Sequence, residues 1–267
     1  MVSYGQIDHE YGMKLATTPA EDDGPVWMIN LMKYKAKAEY ADGRETELSG
    51  IEADDAYTPI GPLTAIGAEI VFAATVEDQF LGDEPKWDRV AIVKYPTRRS
   101  FIEMQQRDDF QKQHEHKEAG MQETIVMGGL PLMEAMEPLR PWSEVPKPPT
   151  DEDGAYTVIH VIRFHDENGA EATPEQMASY QDGAGKTATE NGARVDGWFG
   201  VEGTILGDGR TWHQVRFNTF PSKAAFMDVV MDPERLEAQK DHREVAIADT
   251  YTLGTRAMVN RLAVSGG

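Results

Sequence analysis

Residues 81–101 read LGDEPKWDRVAIVKYPTRRSF, and residues 206–226 read LGDGRTWHQVRFNTFPSKAAF. Seven residues are identical at a constant offset of 125, namely Leu81/Leu206, Gly82/Gly207, Asp83/Asp208, Trp87/Trp212, Val90/Val215, Pro96/Pro221 and Phe101/Phe226. Upstream, VWMINLMKY (26–34) matches YTVIHVIRF (156–164), and downstream HKEA (116–119) matches HREV (242–245) after a slip of one residue. Self-similarity at a fixed spacing indicates an internal duplication, so we predict a tandem repeat.

A proline-rich segment separates the two copies. Residues 136–154, MEPLRPWSEVPKPPTDEDG, contain five prolines and a charged run, a composition that neither a helix nor a central strand tolerates. We therefore predict a loosely ordered N-terminal arm at 1–24, a first repeat at 25–137, a linker at 138–153 and a second repeat at 154–262.

Each repeat shows the element order β-α-β-β-α. Strands are predicted at 26–34, 87–95, 156–164 and 212–220, and helices at 54–66 and 174–190, with further helices beginning after Thr97, Ser222 and Asp232. This order is that of a ferredoxin-like unit, which leaves one sheet face uncovered. The predicted fold class is α+β, with two ferredoxin-like units in one chain forming a dimeric α+β barrel type of architecture.

Alternation along the strands predicts a polar row on one sheet face. Val215 and Phe217 are expected to face the helices, as are Val90 and Ile92, and the opposite row is expected to line an enclosed cavity. The predicted ligand contacts in that row are Asn30, Arg89, Tyr95, Trp212, Gln214, Arg216 and Asn218, with His160 at the place of Asn30. Two interpretations stay open, because buried polar groups either satisfy one another or contact a ligand.

The stretch KQHEHKEAG (112–120) resembles a metal motif at first sight. His114 and His116 are two residues apart, which is roughly 200° around a helix, so they cannot share one ion. The repeat maps His114 onto Lys240, expected on the solvated face, and His116 onto His242. We expect His116 and His242 to face inward, either as general bases or as caps of backbone carbonyls near a helix end.

Composition narrows the classes of function. The chain has 267 residues, a net charge of −20 and no cysteine, so nucleic acid and anionic membranes would be repelled and thiolate chemistry is excluded. No secretory signal and no apolar stretch of membrane-spanning length is visible. We expect a cytoplasmic protein that binds a small molecule and no nucleic acid or membrane, with a homodimer as a further expectation.

The segments VWMINLMKYK, WDRVAIVKYPTRRSFIEM and DFQKQHEHKEAGM resemble a family of bacterial domains of unknown function in the dimeric α+β barrel superfamily. The resemblance covers about 25–133 closely and 155–262 more loosely, where His160 and His213 replace Asn30 and Asp88. The superfamily includes cofactor-free monooxygenases, muconolactone isomerases and two-repeat haem enzymes such as chlorite dismutase. The resemblance therefore implies the fold and leaves the chemistry open, because function lies in the site.

Three functions are compatible with these observations. The first is a cofactor-independent enzyme, of isomerase, lyase or monooxygenase type, acting on a small apolar or aromatic metabolite in the barrel cavity. Its base would be His116, His242 or His160, and its arginines would hold a carbonyl or enolate oxygen. The second is a non-catalytic metabolite-binding or accessory protein. The third is a haem protein in which an inward histidine is the axial ligand.

Overall fold

The structure is a computed structural model that describes residues 4–57 and 59–265, without the side chains of residues 182–184, 264 and 265. Residues 1–3 of the predicted arm and Thr58 of the predicted first helix lie outside the described residues. Among the helices of the described ranges, none combines the length and apolar content that crossing a bilayer requires.

The strands within these ranges are β1 Gln6–Ile7, β2 Val26–Tyr34, β3 Glu69–Leu81, β4 Arg89–Tyr95, β5 Met121–Pro131, β6 Tyr156–Phe164, β7 Arg194–Gly207, β8 Gln214–Phe220 and β9 Ile247–Asn260. The α-helices are α1 His9–Thr17, α2 Gly50–Ala56, α3 Ile60–Ala65, α4 Arg98–Gln105, α5 Asp108–Gly120, α6 Glu175–Glu190, α7 Lys223–Val230, α8 Pro233–Ala238, α9 Glu244–Ala246 and α10 Leu262–Ser265. Short 3-10 helices lie at Trp142–Glu144 and Glu167–Ala170, and a π-helical turn at Gln239–Arg243 joins α8 to α9.

The predicted elements are largely confirmed. Strands β2 and β6 coincide with the predicted 26–34 and 156–164, and α6 with 174–190. The predicted helix at 54–66 is broken into α2 and α3. The expectation of a loosely ordered arm was wrong. Helix α1 is capped by Asp8 and buries Tyr11 and Leu15, and this apolar burial is what orders the segment.

The chain divides into two compact units. Unit 1 comprises the residues up to Ala73, Pro85–Gly128 and Gly203–Arg210, and its strands follow the order β1-β7-β5-β2-β4-β3. Unit 2 comprises Ala74–Glu84, Gly129–Glu202 and the residues from Thr211 onward, and its strands follow the order β3-β9-β6-β8-β7. The long strands β3 and β7 thus contribute residues to both units.

In unit 2, the sheet face that carries the polar row is covered by the helices. Val158 of β6 and Phe220 of β8 pack with Phe226 of α7. Ile162 and Phe164 of β6 pack on α6 and α9, in a cluster with Met177, Tyr180 and Ala246. Side chains two residues apart on a strand share a face, so His160 and Arg216 also face the helices.

The expectation that Val215, Phe217, Val90 and Ile92 face the helices was therefore wrong. Both units place the polar row there, since Tyr34 and Arg89 contact α2 in unit 1. The physical reason is that helices carry polar side chains of their own, so a mixed row can find partners beneath them. A row of Val, Ile and Phe needs no such partners, and all four of these residues are fully buried.

Candidate functional site

One row of side chains crosses four adjacent strands of unit 2 on the helix-covered face. His160 of β6 is the register partner of Arg216 on β8 and of Thr252 on β9. Arg216 is in turn the partner of Trp198 on β7. The order across the sheet is Thr252, His160, Arg216, Trp198. Two predicted site residues therefore lie directly beside each other at the centre of the sheet.

The next row fixes one edge of this site. Gln214 is the register partner of Ile162 and of Gly200. A Cβ on Gly200 would lie 2.2 Å from the carbonyl oxygen of Ala170, so only glycine lets the 3-10 helix Glu167–Ala170 approach the sheet so closely. The Gln214 Nε2 donates to the Gly169 carbonyl at 2.7 Å. The Gln214 Oε1 atom is therefore free to accept hydrogen bonds from neighbouring donors.

Arg216 is held rigidly in the site although it is buried, at 4% exposure. Its Nε and Nη2 both donate to Gln214 Oε1, at 3.1 and 2.5 Å, and Trp198 Nε1 donates to the same oxygen at 2.9 Å. The guanidinium lies 3.9 Å from the Trp198 ring centroid, a stacked cation–π geometry. Two of the five guanidinium hydrogens are thus used, and the Nη1 end remains available to a ligand.

A second buried guanidinium comes from the helical layer. Arg243 is 6% exposed and ends the π-helical turn Gln239–Arg243, which packs against α6. Ala238 and Ala246 on either side of it pack in the cluster that contains Ile162. Within the described residues Arg243 makes no hydrogen bond and no ion pair, a rare condition for a buried charge.

Arg216 and Arg243 place positive charge in the cluster, and no hydrogen-bonded carboxylate among the described residues neutralises it. Desolvation, followed by the charge of Arg243, lowers the pKa of Arg216 to about 9. Burial is also the main cause that lowers the pKa of Arg243; Arg235 adds to this effect, whereas Tyr180 and Glu244 oppose it. Among the described residues no carboxylate contacts Arg216 or Arg243. The environment disfavours both charges, and an anion would relieve it.

His160 lies in this positive field as a neutral imidazole. Desolvation, followed by the charges of Arg243, Arg216 and Arg235, holds the pKa of His160 well below its ordinary value. Its Nδ1 is 3.3 Å from the Thr252 hydroxyl oxygen. When Nδ1 carries the proton and donates to Thr252, the lone pair is on Nε2. The residue is partly exposed.

In unit 1, the arginine on the corresponding sheet face has carboxylate partners. The Arg89 Nη1 donates to Asp54 at 3.1 Å and its Nη2 to Asp55 at 2.8 Å, both on α2. The Tyr34 hydroxyl also donates to Asp54, at 2.5 Å. Arg89 is thus neutralised within its own unit, and desolvation is outweighed so that the pKa of Arg89 is raised. Arg89, predicted as a ligand contact, is part of a closed ion-pair network.

The helix histidines do not lie where the repeat pattern predicted. His242 is partly exposed, with Nδ1 2.9 Å from Gln176 Oε1, and so is His116, with Nδ1 2.7 Å from the Tyr40 hydroxyl. In contrast, His114 stacks on Phe110, with ring centroids 5.1 Å apart. The π-helical turn explains the error for His242, because its extra residue shifts the helical phase and turns Arg243 inward.

His114 faces inward for a simpler reason. It is four residues after Phe110, the buried anchor of α5, and residues at this spacing share one helix face. Burial, followed by the charge of Lys117, lowers the pKa of His114 to about 4. The one-residue slip aligns Lys117 with Arg243. In each helical segment this cation faces inward, and the histidine just before it does not.

The remaining predicted residues are mainly part of the core. Tyr95 is buried, donates to Met104 Sδ at 3.4 Å and packs edge-on against Phe101. Asn30 donates to the Met28 carbonyl at 2.9 Å, within its own strand. Trp212 packs on Tyr251, with centroids 5.4 Å apart. Asn218 lies two residues from Arg216 on the same face, opposite Val158, where α7 covers the sheet.

Sequence reasoning missed four members of the site, namely Trp198, Tyr180, Arg243 and Thr252. Tyr180 is buried on α6, and its charge influences the pKa of both Arg216 and Arg243. The one available signal was the slip of one residue before HREV, since a single insertion in a helix commonly appears as a π-turn, often at a functional site.

The side chains around His160 do not fit the requirements of a haem iron. A metal-binding histidine usually donates its second N–H to a carboxylate or carbonyl, whereas His160 faces a threonine hydroxyl and three guanidinium charges. These charges repel a cation at Nε2 and attract an anion. Within the ranges that the structure describes, no three His, Cys, Asp or Glu side chains are grouped as metal ligands would be.

Comparison with known proteins supports the fold. No protein-family model and no curated protein matches the chain. Among solved structures, an anthrone oxidase-like protein is similar at 12% identity and a TM-score of 0.54, over 91% of this chain and 97% of that chain. Chlorite dismutase from Candidatus Nitrospira defluvii is similar at 11% identity and 0.48, over 91% and 95%. A protein of unknown function from Rhodopseudomonas palustris is similar at 24% identity and 0.42, over 49% and 98%.

The fold and its elements together define the class of protein. The chain is an α+β protein of the dimeric α+β barrel type with two ferredoxin-like units. Within this fold class, the second unit carries a buried, positively charged cluster around a neutral histidine. The tandem duplication itself stays a prediction from the sequence.

Proposed function

We propose that unit 2 holds the active site of a cofactor-independent enzyme that moves a proton within a small, largely apolar or aromatic carbonyl compound. The observation that carries this proposal is the register pairing of His160 with Arg216, together with the buried Arg243, whose charge acts on both. A neutral imidazole next to two guanidinium groups is a base next to an oxyanion site, which is the arrangement that deprotonation beside a carbonyl requires.

The chemistry assigns one role to each group. His160 Nε2 takes a proton from a carbon next to the carbonyl group; the electron pair of the C–H bond forms the C=C bond of the enolate, and the π pair of the C=O bond moves onto oxygen. The positive charges of Arg216 and Arg243 stabilise this developing enolate oxygen, since preorganised charge in a desolvated site stabilises new charge of the opposite sign most strongly. The imidazolium then returns the proton, to the same carbon or to a neighbouring one, which completes an exchange or an isomerisation.

Charge balance explains why the low basicity of His160 is compatible with this role. A protonated His160 beside three arginines is unfavourable in the free protein, and for that reason the imidazole is neutral at pH 7. When an enolate forms in the same site, its negative charge offsets the imidazolium that forms with it. The proton transfer and the oxyanion are thus stabilised together.

The test is deuterium exchange or isomerisation of a panel of small aromatic and aliphatic carbonyl compounds, followed by NMR in D2O. His160→Gln is expected to lower the rate about 100-fold or more, the usual contribution of a general base. His116→Gln and His242→Gln, both outside the site, are expected to leave the rate unchanged. Full activity of the His160→Gln protein would refute the assignment.

The second candidate function is a non-catalytic metabolite-binding protein. The specific observation in its favour is that Arg216 and Arg243 would bind an anion whether or not it reacts. It predicts ligand binding that requires both arginines and is indifferent to His160→Gln, with no exchange or isomerisation of any bound compound.

A further inference from the structure

We propose that the compound bound in unit 2 carries a carboxylate group, which Arg216 and Arg243 bind together, and that the chain has one such site. This inference rests on the proposed function for the location of the site and names the chemical class of its substrate. It is carried by the unpaired donors of the two buried arginines and by the contrast between the two units.

The first step concerns the free donors. Arg216 uses Nε and one Nη2 hydrogen for Gln214 Oε1, so the fork formed by Nη1 and the second Nη2 hydrogen is unused within the described residues. A carboxylate accepts two parallel N–H bonds from such a fork. Arg243 adds a second guanidinium that is more than nine-tenths buried and has no hydrogen-bond partner among the described residues.

The second step comes from unit 1. There the guanidinium on the helix-covered face is already bound by carboxylates, Asp54 at 3.1 Å and Asp55 at 2.8 Å. Unit 2 presents two arginines on the corresponding face, and none of its described carboxylates forms a hydrogen bond or an ion pair with either of them, although the charge of Glu244 acts on Arg243. The carboxylate of a ligand would contact the arginines of unit 2 as the carboxylate of Asp54 contacts Arg89 in unit 1.

The third step distinguishes carboxylate from phosphate. Phosphate sites commonly use backbone N–H groups at a helix N-terminus, whereas Arg216 lies in the middle of a strand and Arg243 near the end of a helical segment. The surroundings are aromatic and apolar, with Trp198 stacked on Arg216 and Tyr180 in the cluster with Ile162. A planar, singly charged group on an apolar body suits this site better than a hydrated dianion.

The experiment uses the full chain and three probes: potassium benzoate, its neutral analogue benzyl alcohol, and inorganic phosphate, each matched in ionic strength with KCl. Benzoate is expected to raise the melting temperature and to bind in calorimetry with one site per chain. Benzyl alcohol is expected to bind at least tenfold more weakly. No binding of benzoate, preferential binding of phosphate, or two equal benzoate sites would overturn the proposal.

Arg243→Met is expected to weaken benzoate binding about tenfold or more, and Lys117→Met is the matched control because Lys117 is the inward cation aligned with Arg243 in unit 1. A merely structural Arg243 would lower the melting temperature on replacement. We expect the opposite in the absence of benzoate, since an uncompensated buried charge is removed. If Arg243→Met fails to fold, Arg243→Lys and Arg216→Lys take its place, and unchanged benzoate affinity in both overturns the proposal.

Failure of this inference and failure of the proposed function give different results. Benzoate binding that depends on Arg243, without any reaction that depends on His160, supports the carboxylate site and refutes the enzyme. A reaction that depends on His160, with no affinity for benzoate in the wild type, supports the enzyme and refutes the carboxylate site.

Discussion

Arg89 and Arg216 lie on the same kind of sheet face, yet among the residues that the structure describes only Arg89 has carboxylates within hydrogen-bonding distance. A buried charge without a counter-ion costs several kcal/mol after relaxation, so Arg216 and Arg243 reduce the stability of the free protein. Such destabilising charges are concentrated at binding and catalytic sites, where a ligand provides the counter-charge. This is the residue-level basis for placing function in unit 2.

A second, partly buried imidazole, that of His114, gives a prediction about stability. The pKa of His114 is about 4 in the folded chain, and in the unfolded chain a histidine protonates below about 6.5. Between these values the unfolded chain binds more protons, so stability falls as the pH falls from about 6.5 to about 4. From pH 7.5 to pH 5 this group is expected to remove ~2 kcal/mol from the free energy of unfolding, measured by urea denaturation.

The variant His114→Phe keeps an aromatic ring against Phe110 and Tyr57 and has no group to titrate, so its loss of stability over the same pH range is expected to be smaller by that amount. His9→Gln, at an exposed position, is the control and should behave like the wild type. His160 contributes with the same sign, so some acid sensitivity remains in all three proteins. Equal pH profiles for wild type and His114→Phe would contradict the prediction.

At the scale of elements, the two helices that follow the Pro-Thr and Pro-Ser turns are capped in the same way. Thr97 and Ser222 accept from the third amide of α4 and α7. Asp23 accepts from the first two amides of α4, at 2.7 and 3.3 Å, and Asp153 from the first two of α7, at 2.8 and 3.0 Å. Each helix thus has its first three N–H groups satisfied, two of them by a residue distant in sequence.

Asp153→Ala is therefore expected to lower the free energy of unfolding by about 1–2 kcal/mol, the usual cost of a lost N-terminal cap. Asp153 also accepts from Arg256 at 2.8 Å. Asp151→Ala, at an exposed position of the same linker, is the control. The measurement is chemical denaturation at neutral pH, and a change below about 0.3 kcal/mol for Asp153→Ala would show that the two amides are solvated as well without it.

These elements also show how far the sequence can be interpreted. Alternation and composition located β2 and β6 to the residue, and the caps at Thr97 and Ser222 followed from local turn chemistry. Alternation alone does not say which face the helices cover, and here the polar row lies beneath them. The partners that make this possible, such as Asp54 for Arg89, are 35 residues away in sequence.

The site was predictable in part for the same reason. His160 and Arg216 were selected because each is a polar residue in a buried row, and the structure brings them side by side. Arg243 could not be placed from helical periodicity, because the π-helical turn changes the phase between Ala238 and Glu244. The histidines at 116 and 242 were selected because the repeat aligns them and because His242 is spaced by three and four residues from Ala238, Val245 and Ala246.

At the scale of the whole molecule, the net charge is negative whereas the charge of the candidate site is positive. The chain carries a net charge of −20, while unit 2 buries Arg216 and Arg243 without a carboxylate among the described residues. The net charge of the chain is thus opposite in sign to the charge of the two arginines. It also means that an anionic ligand is held by short-range contacts in the site and not by long-range attraction to the surface.

The composition of the two units gives the last prediction. Residues 74–84 belong to unit 2 although they precede the linker, and residues 203–210 belong to unit 1 although they follow it. In unit 2 the Tyr156 hydroxyl donates to Asp78 at 2.6 Å, the Tyr251 hydroxyl donates to the Glu84 carbonyl at 3.0 Å, and β3 is the neighbour of β9. A fragment of residues 138–267 would lose all of these contacts and expose one edge of its sheet.

We therefore expect fragments 1–137 and 138–267 to be unfolded or aggregated when produced separately, and to form a folded complex when they are produced together. The uncut chain and a chain with a protease site inserted near Pro148, cleaved after folding, are the controls. Circular dichroism and urea denaturation report the result. Cooperative unfolding of either fragment alone, at a stability comparable to that of the full chain, would show that the exchanged segments are dispensable and that each repeat is a self-sufficient folding unit.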